Sequence, residues 1–160
     1  MKFLVLWLSI VACSCYAQSP SDPIMSSYID NAEDLRRLTP LSFLGRLKRS
    51  KVSPIVIKGQ VENWVEKEHL PQLLRLVDVK TPCASVAMSI SSVSPIDPSY
   101  IGQEALFMIM AIKRGKYPPD LNSNQSQHES FGAKQRHELI LWAKKAGKKQ
   151  EKERGNPPLK

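Results

Sequence analysis

Few side chains in this sequence have a type and spacing that could support catalysis or metal binding. The three histidines are His69, His128 and His137, and none belongs to an HExxH or HxH motif, so a zinc site has no support from the sequence. His128 and His137 are each followed by a glutamate, and a site assembled from these pairs is the one enzyme hypothesis that we retain. There is no phosphate-binding glycine loop and no GxSxG motif. We therefore predict that the protein is not an enzyme, has no catalytic residues, and binds no cofactor or metal.

The three cysteines are divided between the N-terminus and the middle of the chain. Cys13 and Cys15 precede the region that we assign to the folded domain, and Cys83 is the only cysteine that follows. A single cysteine cannot form an internal disulfide bond, which excludes a disulfide-stapled scaffold. Cys83 shares an apolar helical spacing with Val86 and Ala87, so we expect it to be a buried packing residue and not a nucleophile.

The first 17 residues have the features of a secretory signal peptide. A single lysine precedes an apolar stretch at residues 3–12 that is too short to span a bilayer, and the predicted cleavage falls between Ala17 and Gln18. We predict export to a periplasmic or secreted location, with no transmembrane span in the mature chain. A second interpretation stays open, because the four residues that end at Cys13 resemble a lipoprotein box. Acylated Cys13 would then anchor the protein in the cell envelope.

Positive charge is concentrated near the C-terminus. The chain has 23 Lys or Arg and 15 Asp or Glu, which gives a formal net charge of +8. Basic runs can bind acidic partners, anionic lipid or nucleic acid, although a solvated helix face has the same composition. The predicted export and the lack of stacking aromatic residues in the C-terminal run argue against nucleic acid. We predict that an unknown protein partner or an anionic surface contacts a patch formed by Lys113, Arg114, Lys116, Lys144, Lys145, Lys148 and Lys149.

Apolar periodicity predicts a single helical domain at residues 28–150, between a disordered lead at 18–27 and a disordered basic tail at 151–160. The expected helices cover residues 28–38, 40–50, 68–77, 83–90, 99–114 and 134–149. Thr39 and Pro40 have the types favoured at a helix start, and Gly115 has the type favoured just after a helix end. The β-branched run at residues 53–57 has no partner strand of comparable character, so we expect it to lead into an extended or irregular segment, or into the start of a poorly formed helix. Asn124 begins a three-residue glycosylation pattern.

The main packing unit in this prediction is a pair of short helices at residues 68–93. Their apolar positions follow the i, i+3, i+4, i+7 spacing, first at Leu70, Leu73, Leu74 and Val77, and then at Cys83, Val86, Ala87 and Ile90. With its Leu-Pro start and the aspartate in its turn, this segment resembles a HEAT-type helical repeat. The resemblance covers 26 residues and implies a binding role without catalytic residues.

The sequence therefore predicts an all-α fold of short antiparallel helix pairs, either HEAT-like or an irregular helical bundle. The expected function is that of an exported, non-enzymatic protein that acts through protein or surface contacts. The alternative is a lipid-anchored or peripheral envelope protein that is held at a membrane surface by Cys13 acylation and the basic tail.

Overall fold

A computed structural model of the chain describes residues 28–29, 32–50, 54–88, 99–123 and 132–155, with the backbone alone at 28, 29, 32 and 153–155. Its helices are α1 (Ala32–Arg36), α2 (Pro40–Arg49), α3 (Leu70–Leu76), α4 (Ile101–Arg114) and α5 (Ala133–Gly155), and a short 3-10 helix, Lys67–His69, leads into α3. Its strands are β1 (Tyr28–Ile29), β2 (Ile55–Ile57), β3 (Val61–Glu62), β4 (Pro82–Cys83), β5 (Val86–Ala87), β6 (Ser99–Tyr100) and β7 (Lys116–Tyr117). The fold is mixed helix and strand, so the all-α prediction is wrong.

The strands form three small sheets within the described residues. The largest has the parallel order β1-β2-β5, while β3 pairs with β7 and β4 pairs with β6, both antiparallel. The central strand, β2, is buried along its whole length. This corrects the expectation that residues 53–57 have no partner strand. A parallel strand buried on both faces forms a continuous apolar run, and its partners here lie about 30 residues away on either side.

The second half of the predicted helix pair is also wrong. Residues 70–76 are helical as expected, but β4 and β5 replace the helix predicted at 83–90. Every side chain from Cys83 to Ala87 is buried, so the apolar positions in this segment do not mark one helical face. The backbone is instead satisfied by distant segments, through bonds from Ala84 N–H to Leu47 O (3.0 Å) and from Met88 N–H to Leu121 O (2.8 Å). The HEAT-like architecture therefore does not apply to this chain.

Several helix boundaries were predicted correctly. Helix α2 begins at Pro40, and the Thr39 side chain accepts a hydrogen bond from Ser42 N–H. Helix α4 ends at Arg114, and the following Gly115 has a φ of 73°, in the left-handed region that glycine adopts without strain. Gly102 near the start of α4 allows a close approach, because a Cβ there would overlap the carbonyl oxygen of Val77. Helix α4 therefore packs tightly against the C-terminal end of α3.

Helix α5 is longer than the helix predicted at residues 134–149. It continues to Gly155 and so includes five residues of the segment predicted as a disordered tail. The helix packs on α3 and α4, burying Leu139 and Ala143. Arg136 fixes its first turns, since the guanidinium Nη2 donates to Val77 O (2.9 Å) and pairs with Asp78 Oδ1 (2.8 Å). No helix in the described residues has the length and apolar character needed to cross a membrane.

Four aromatic rings form the centre of the core. This aromatic cluster comprises Phe43 of α2, Trp64, Phe107 of α4 and Tyr117 of β7, with ring centroids 4.9 to 6.0 Å apart in the contacting pairs. Trp64 is buried, and its indole N–H donates to Leu38 O at 2.9 Å. The aromatic cluster therefore joins α2, α4 and β7 and fixes the position of Tyr117.

Candidate functional site

A second group of buried side chains is polar and surrounds Glu104. This polar cluster comprises Cys83, Ser99, Glu104, Tyr117 and Ser123, and each of these residues is less than a tenth exposed. Glu104 and Ser99 are fully buried. Fully buried carboxyl groups are rare without a partner, because transfer of a charge out of water is costly. The polar cluster is therefore the first candidate for a functional site.

Four backbone segments position the polar cluster. Cys83 and Ser99 are register partners in the antiparallel pair β4–β6, so their side chains are close neighbours. Glu104 is the fourth residue of α4, which begins directly after β6. Tyr117 lies in β7, which follows α4 after the turn at Gly115. Ser123 is held against β5 by its N–H, which donates to Val86 O (2.8 Å), and by its hydroxyl, which accepts from Val86 N–H (2.9 Å).

The pKa of Glu104 is raised from 4.5 to about 7. Burial is the main cause, and the nearby hydroxyls of Ser123 and Ser99 lower the pKa by a smaller amount. These hydroxyls are close enough to act on the charge, yet neither carboxyl oxygen has a hydrogen bond of standard geometry within the described residues. Glu104 is therefore a group that changes its protonation state close to neutral pH.

The other two ionisable side chains of the polar cluster stay neutral near pH 7. Burial, and then the charge of Glu104, raise the pKa of Cys83 to about 12, while a hydrogen bond with Ser99 lowers it slightly. Burial raises the pKa of Tyr117 well above its ordinary value, and Glu104 and Cys83 add to that effect. A buried neutral thiol is a poor nucleophile. The arrangement is suited to holding a proton on Glu104 and not to covalent chemistry at Cys83.

The packing role predicted for Cys83 is confirmed by its burial, although the residue lies on a strand and not on a helix.

The part of the chain that the structure describes contains no group of three or more His, Cys, Asp or Glu side chains that could hold a metal ion. His137 is exposed on α5, and His69 bonds locally with Glu66. His128, Cys13, Asn124 and the predicted cleavage site at Ala17-Gln18 lie outside the described residues.

The second candidate region is the exposed side of α5, opposite Leu139 and Ala143. Helix α5 contains eight Lys or Arg and three Glu, which gives it a net charge of +5. We use the name lysine face for five exposed side chains on two to three consecutive turns of α5: Lys144, Lys145, Lys148, Lys149 and Lys152. Four of these residues belong to the predicted patch.

The other three members of the predicted patch lie near the end of α4, in different surroundings. The ammonium of Lys113 lies 6.0 Å from the ring centre of Trp142, which links it to α5. Arg114 turns instead towards the following loop, where Nη1 donates to Pro119 O (2.6 Å) and pairs with Asp120 Oδ2 (3.2 Å). Lys116 is exposed on β7, opposite Glu62 of β3. The structure therefore places Lys113 beside α5 and gives Arg114 a structural partner.

An open groove of about 490 Å³ runs between α5 and the beginning of α3. Pro71, Leu74 and Gly147 supply its apolar lining, and Lys144 and Lys148 of the lysine face also line it. A Cβ added at Gly147 would meet no atom within 4 Å. Acidic and amide side chains complete the lining: Glu68, Gln150 and Glu151. The lysine face therefore adjoins a concave surface that is partly apolar.

Sequence reasoning missed the polar cluster, although one signal for it exists. Glu104 is the only acidic residue in α4, whose residues are otherwise largely apolar on every side. A carboxyl group in a helix that is apolar all round must be buried, which could have identified Glu104. Ser99 and Ser123 carried no such signal, because serine is common both in loops and at buried sites.

Comparison of the chain with protein-family models, curated proteins and solved structures gives no match.

Proposed function

We propose that this protein is an exported, non-enzymatic binding protein whose lysine face docks on an acidic protein segment. The observation that carries the proposal is that α5 buries Leu139 and Ala143 on the domain while it directs five lysines to solvent within nine residues. The buried face fixes the helix, so the lysines are presented by a rigid element. Such a surface attracts acidic partners and accelerates their association.

The groove beside the lysine face favours a protein segment over a simple polyanion. A polyanion needs only the charges of Lys144 and Lys148, whereas the apolar lining at Pro71, Leu74 and Gly147 would bury hydrophobic side chains. An acidic segment with interspersed apolar residues satisfies both kinds of surface. The proposed partner is therefore an acidic peptide or protein segment of mixed polarity.

A charge-reversal experiment tests this proposal. We expect the variant Lys144→Glu/Lys145→Glu/Lys148→Glu to bind a fluorescent acidic peptide with interspersed leucines at least about tenfold more weakly than the wild type, because three favourable charge contacts become repulsive. The matched control is Lys48→Glu/Lys80→Glu/Lys134→Glu, which changes the net charge equally at three other exposed lysines. Fluorescence anisotropy at physiological salt measures both affinities.

Equal weakening in the two triple variants would show that net charge alone drives binding, and the proposal would then be abandoned. The groove is tested with polyglutamate of the same length, which lacks leucine. We expect it to bind more weakly than the mixed peptide. Binding to vesicles that contain anionic lipid, with no binding to either peptide, would favour the alternative of a peripheral membrane protein.

Export is a separate part of the proposal, supported by the composition of residues 1–17. Mass spectrometry of the protein recovered from outside the cytoplasm tests it. We expect a mature N-terminus at Gln18. A diacylglyceryl mass on Cys13 would instead establish the lipid-anchored alternative.

A further inference from the structure

We propose that the polar cluster is a proton-controlled switch, in which ionisation of Glu104 releases the segment Leu121–Ser123 from β5. The proposal is independent of the lysine face. The Glu104 carboxyl group is fully buried, and neither of its oxygens makes a hydrogen bond of standard geometry within the described residues. A protonated carboxyl group tolerates such a site much better than an anion does.

Within the described residues, no cationic side chain acts on the pKa of Glu104. The titratable neighbours that face it are Cys83 of β4 and Tyr117 of β7, and both would themselves become negative if they ionised. The polar neighbours are Ser99 of β6 and Ser123. Helices α2, α3 and α5 also pack against α4, but in the described part of the chain none of them supplies a charged group that acts on the pKa of Glu104. Ionisation therefore creates a buried negative charge that no cationic side chain of the described residues offsets.

The sign of the effect follows from the two protonation states. The pKa of Glu104 is about 7 in the folded protein and has an ordinary value of 4.5. In the closed state the segment Leu121–Ser123 is bound to β5, and in the hydrated state it is released and water reaches Glu104. Below pH 4.5 the carboxyl group is protonated in both states, so burial of a charge does not destabilise the closed state. Between pH 4.5 and about 7 the closed state holds a proton that the hydrated state has released, so the stability of the closed state falls across this range and the loss is complete above about pH 7. When the loss of stability is complete, the equilibrium constant for opening of the segment is about 300-fold larger than at low pH.

Among the segments around Glu104, Leu121–Ser123 is the one that can open at the lowest cost. The hydrogen bonds that hold it to residues 86–88 include two between backbone groups and one to the Ser123 hydroxyl. Leu121 is 54 % exposed, so little apolar surface is lost when the segment moves. Helix α4, by contrast, is in the centre of the core and cannot move without unpacking it. Release of the segment would let water reach the carboxylate, which removes the penalty of burial.

Hydrogen exchange of individual amides tests the switch in the full chain. The wild type is compared with Glu104→Gln, which keeps the shape of the side chain but cannot ionise, at matched pH values between about 5.5 and 8.5. We expect protection of the Met88 and Ser123 amides in the wild type, relative to the variant, to fall by about 30-fold across this range. Amides within α4, such as those of Met108 and Ile109, should stay more protected than those of Met88 and Ser123 at every pH, because they exchange only when the core unfolds.

Each alternative result overturns the proposal. If the ratio of amide protection between the wild type and Glu104→Gln is the same at every pH, Glu104 does not ionise in this range. Equal protection of the Met108, Ile109, Met88 and Ser123 amides at every pH would show that the segment opens only when the whole domain unfolds, and that no local switch exists. If Glu104→Gln does not fold, Glu104→Met provides the same comparison, since it also removes ionisation and fills the same volume with an apolar chain.

Discussion

The aromatic cluster and the polar cluster are neighbours in the core, and Tyr117 belongs to both. Its ring packs edge-on against Phe43 and Phe107, and these apolar contacts need no hydrogen bond. Its hydroxyl, like the oxygens of Glu104, is buried without a hydrogen bond in the described residues. The aromatic cluster therefore stabilises the fold at every pH, whereas the contribution of the polar cluster to stability depends on the protonation of Glu104. The difference shows that equal burial can have opposite energetic consequences.

The largest effect is expected from the aromatic cluster. Phe43→Ala removes a fully buried ring that contacts Trp64 and Tyr117, and should lower the free energy of unfolding by about 4 kcal/mol. The loss should be equal at about pH 5 and pH 8, because no ionisable group is involved. Urea unfolding at both pH values measures it, and a loss that depends on pH would contradict the separation of the two clusters.

The second largest effect is expected at Glu104 and should depend on pH. Glu104→Gln should raise the free energy of unfolding by up to about 3 kcal/mol at pH 8, where the wild type holds a buried anion. The gain should disappear near pH 4, where both forms are neutral. Thermal unfolding of the two proteins over this range provides the comparison. A gain of the same size at both pH values would mean that burial of a polar group, and not ionisation, is the cost.

A smaller effect is expected at Ser123, which belongs to the polar cluster but also bonds to the backbone. Ser123→Ala removes the hydroxyl that accepts from Val86 N–H, and should cost about 1 to 2 kcal/mol because this buried donor loses its partner. It also removes a group that lowers the pKa of Glu104. The pH range over which stability falls should therefore extend to higher pH, and the total loss should grow. Chemical unfolding across a pH series reports both changes, and an unchanged pH profile would separate Ser123 from Glu104.

The smallest effect is expected at Tyr117, where the two clusters meet. Tyr117→Phe keeps the ring contacts and removes a buried hydroxyl without a partner in the described residues, so it should raise the free energy of unfolding by about 1 kcal/mol. Calorimetry of the variant and the wild type measures this gain. A loss of stability would show that the hydroxyl has a partner that the described residues do not reveal.

The sequence predicted local features better than it predicted pairing. The start of α2 at Thr39-Pro40 and the end of α4 at Gly115 were correct, because capping depends on residues that are adjacent in the chain. The sheet was missed because β1, β2 and β5 are separated by about 30 residues, and short buried strands have no alternation to reveal them. Residues 83–87 show most clearly where prediction from apolar spacing fails. Their spacing is typical of a helix, but every side chain in the segment is buried.

The two candidate sites differ in the same way. The lysine face was largely predictable, because a run of lysines in one helical segment must be exposed and its exposure follows from composition. The polar cluster was not, because Cys83, Ser99, Glu104, Tyr117 and Ser123 come together only when four separate segments pack. Its one local sign was an acidic residue within the apolar sequence of α4.

Titration of the Glu104 carboxyl carbon by ¹³C NMR in the wild-type protein tests the central claim most directly. We expect a midpoint at about 7, because burial favours the protonated form of the carboxyl group. The Glu104→Gln variant identifies the resonance by its absence. A midpoint near the ordinary value of 4.5 would show that the carboxylate is hydrated or paired in the folded protein, and would contradict the account.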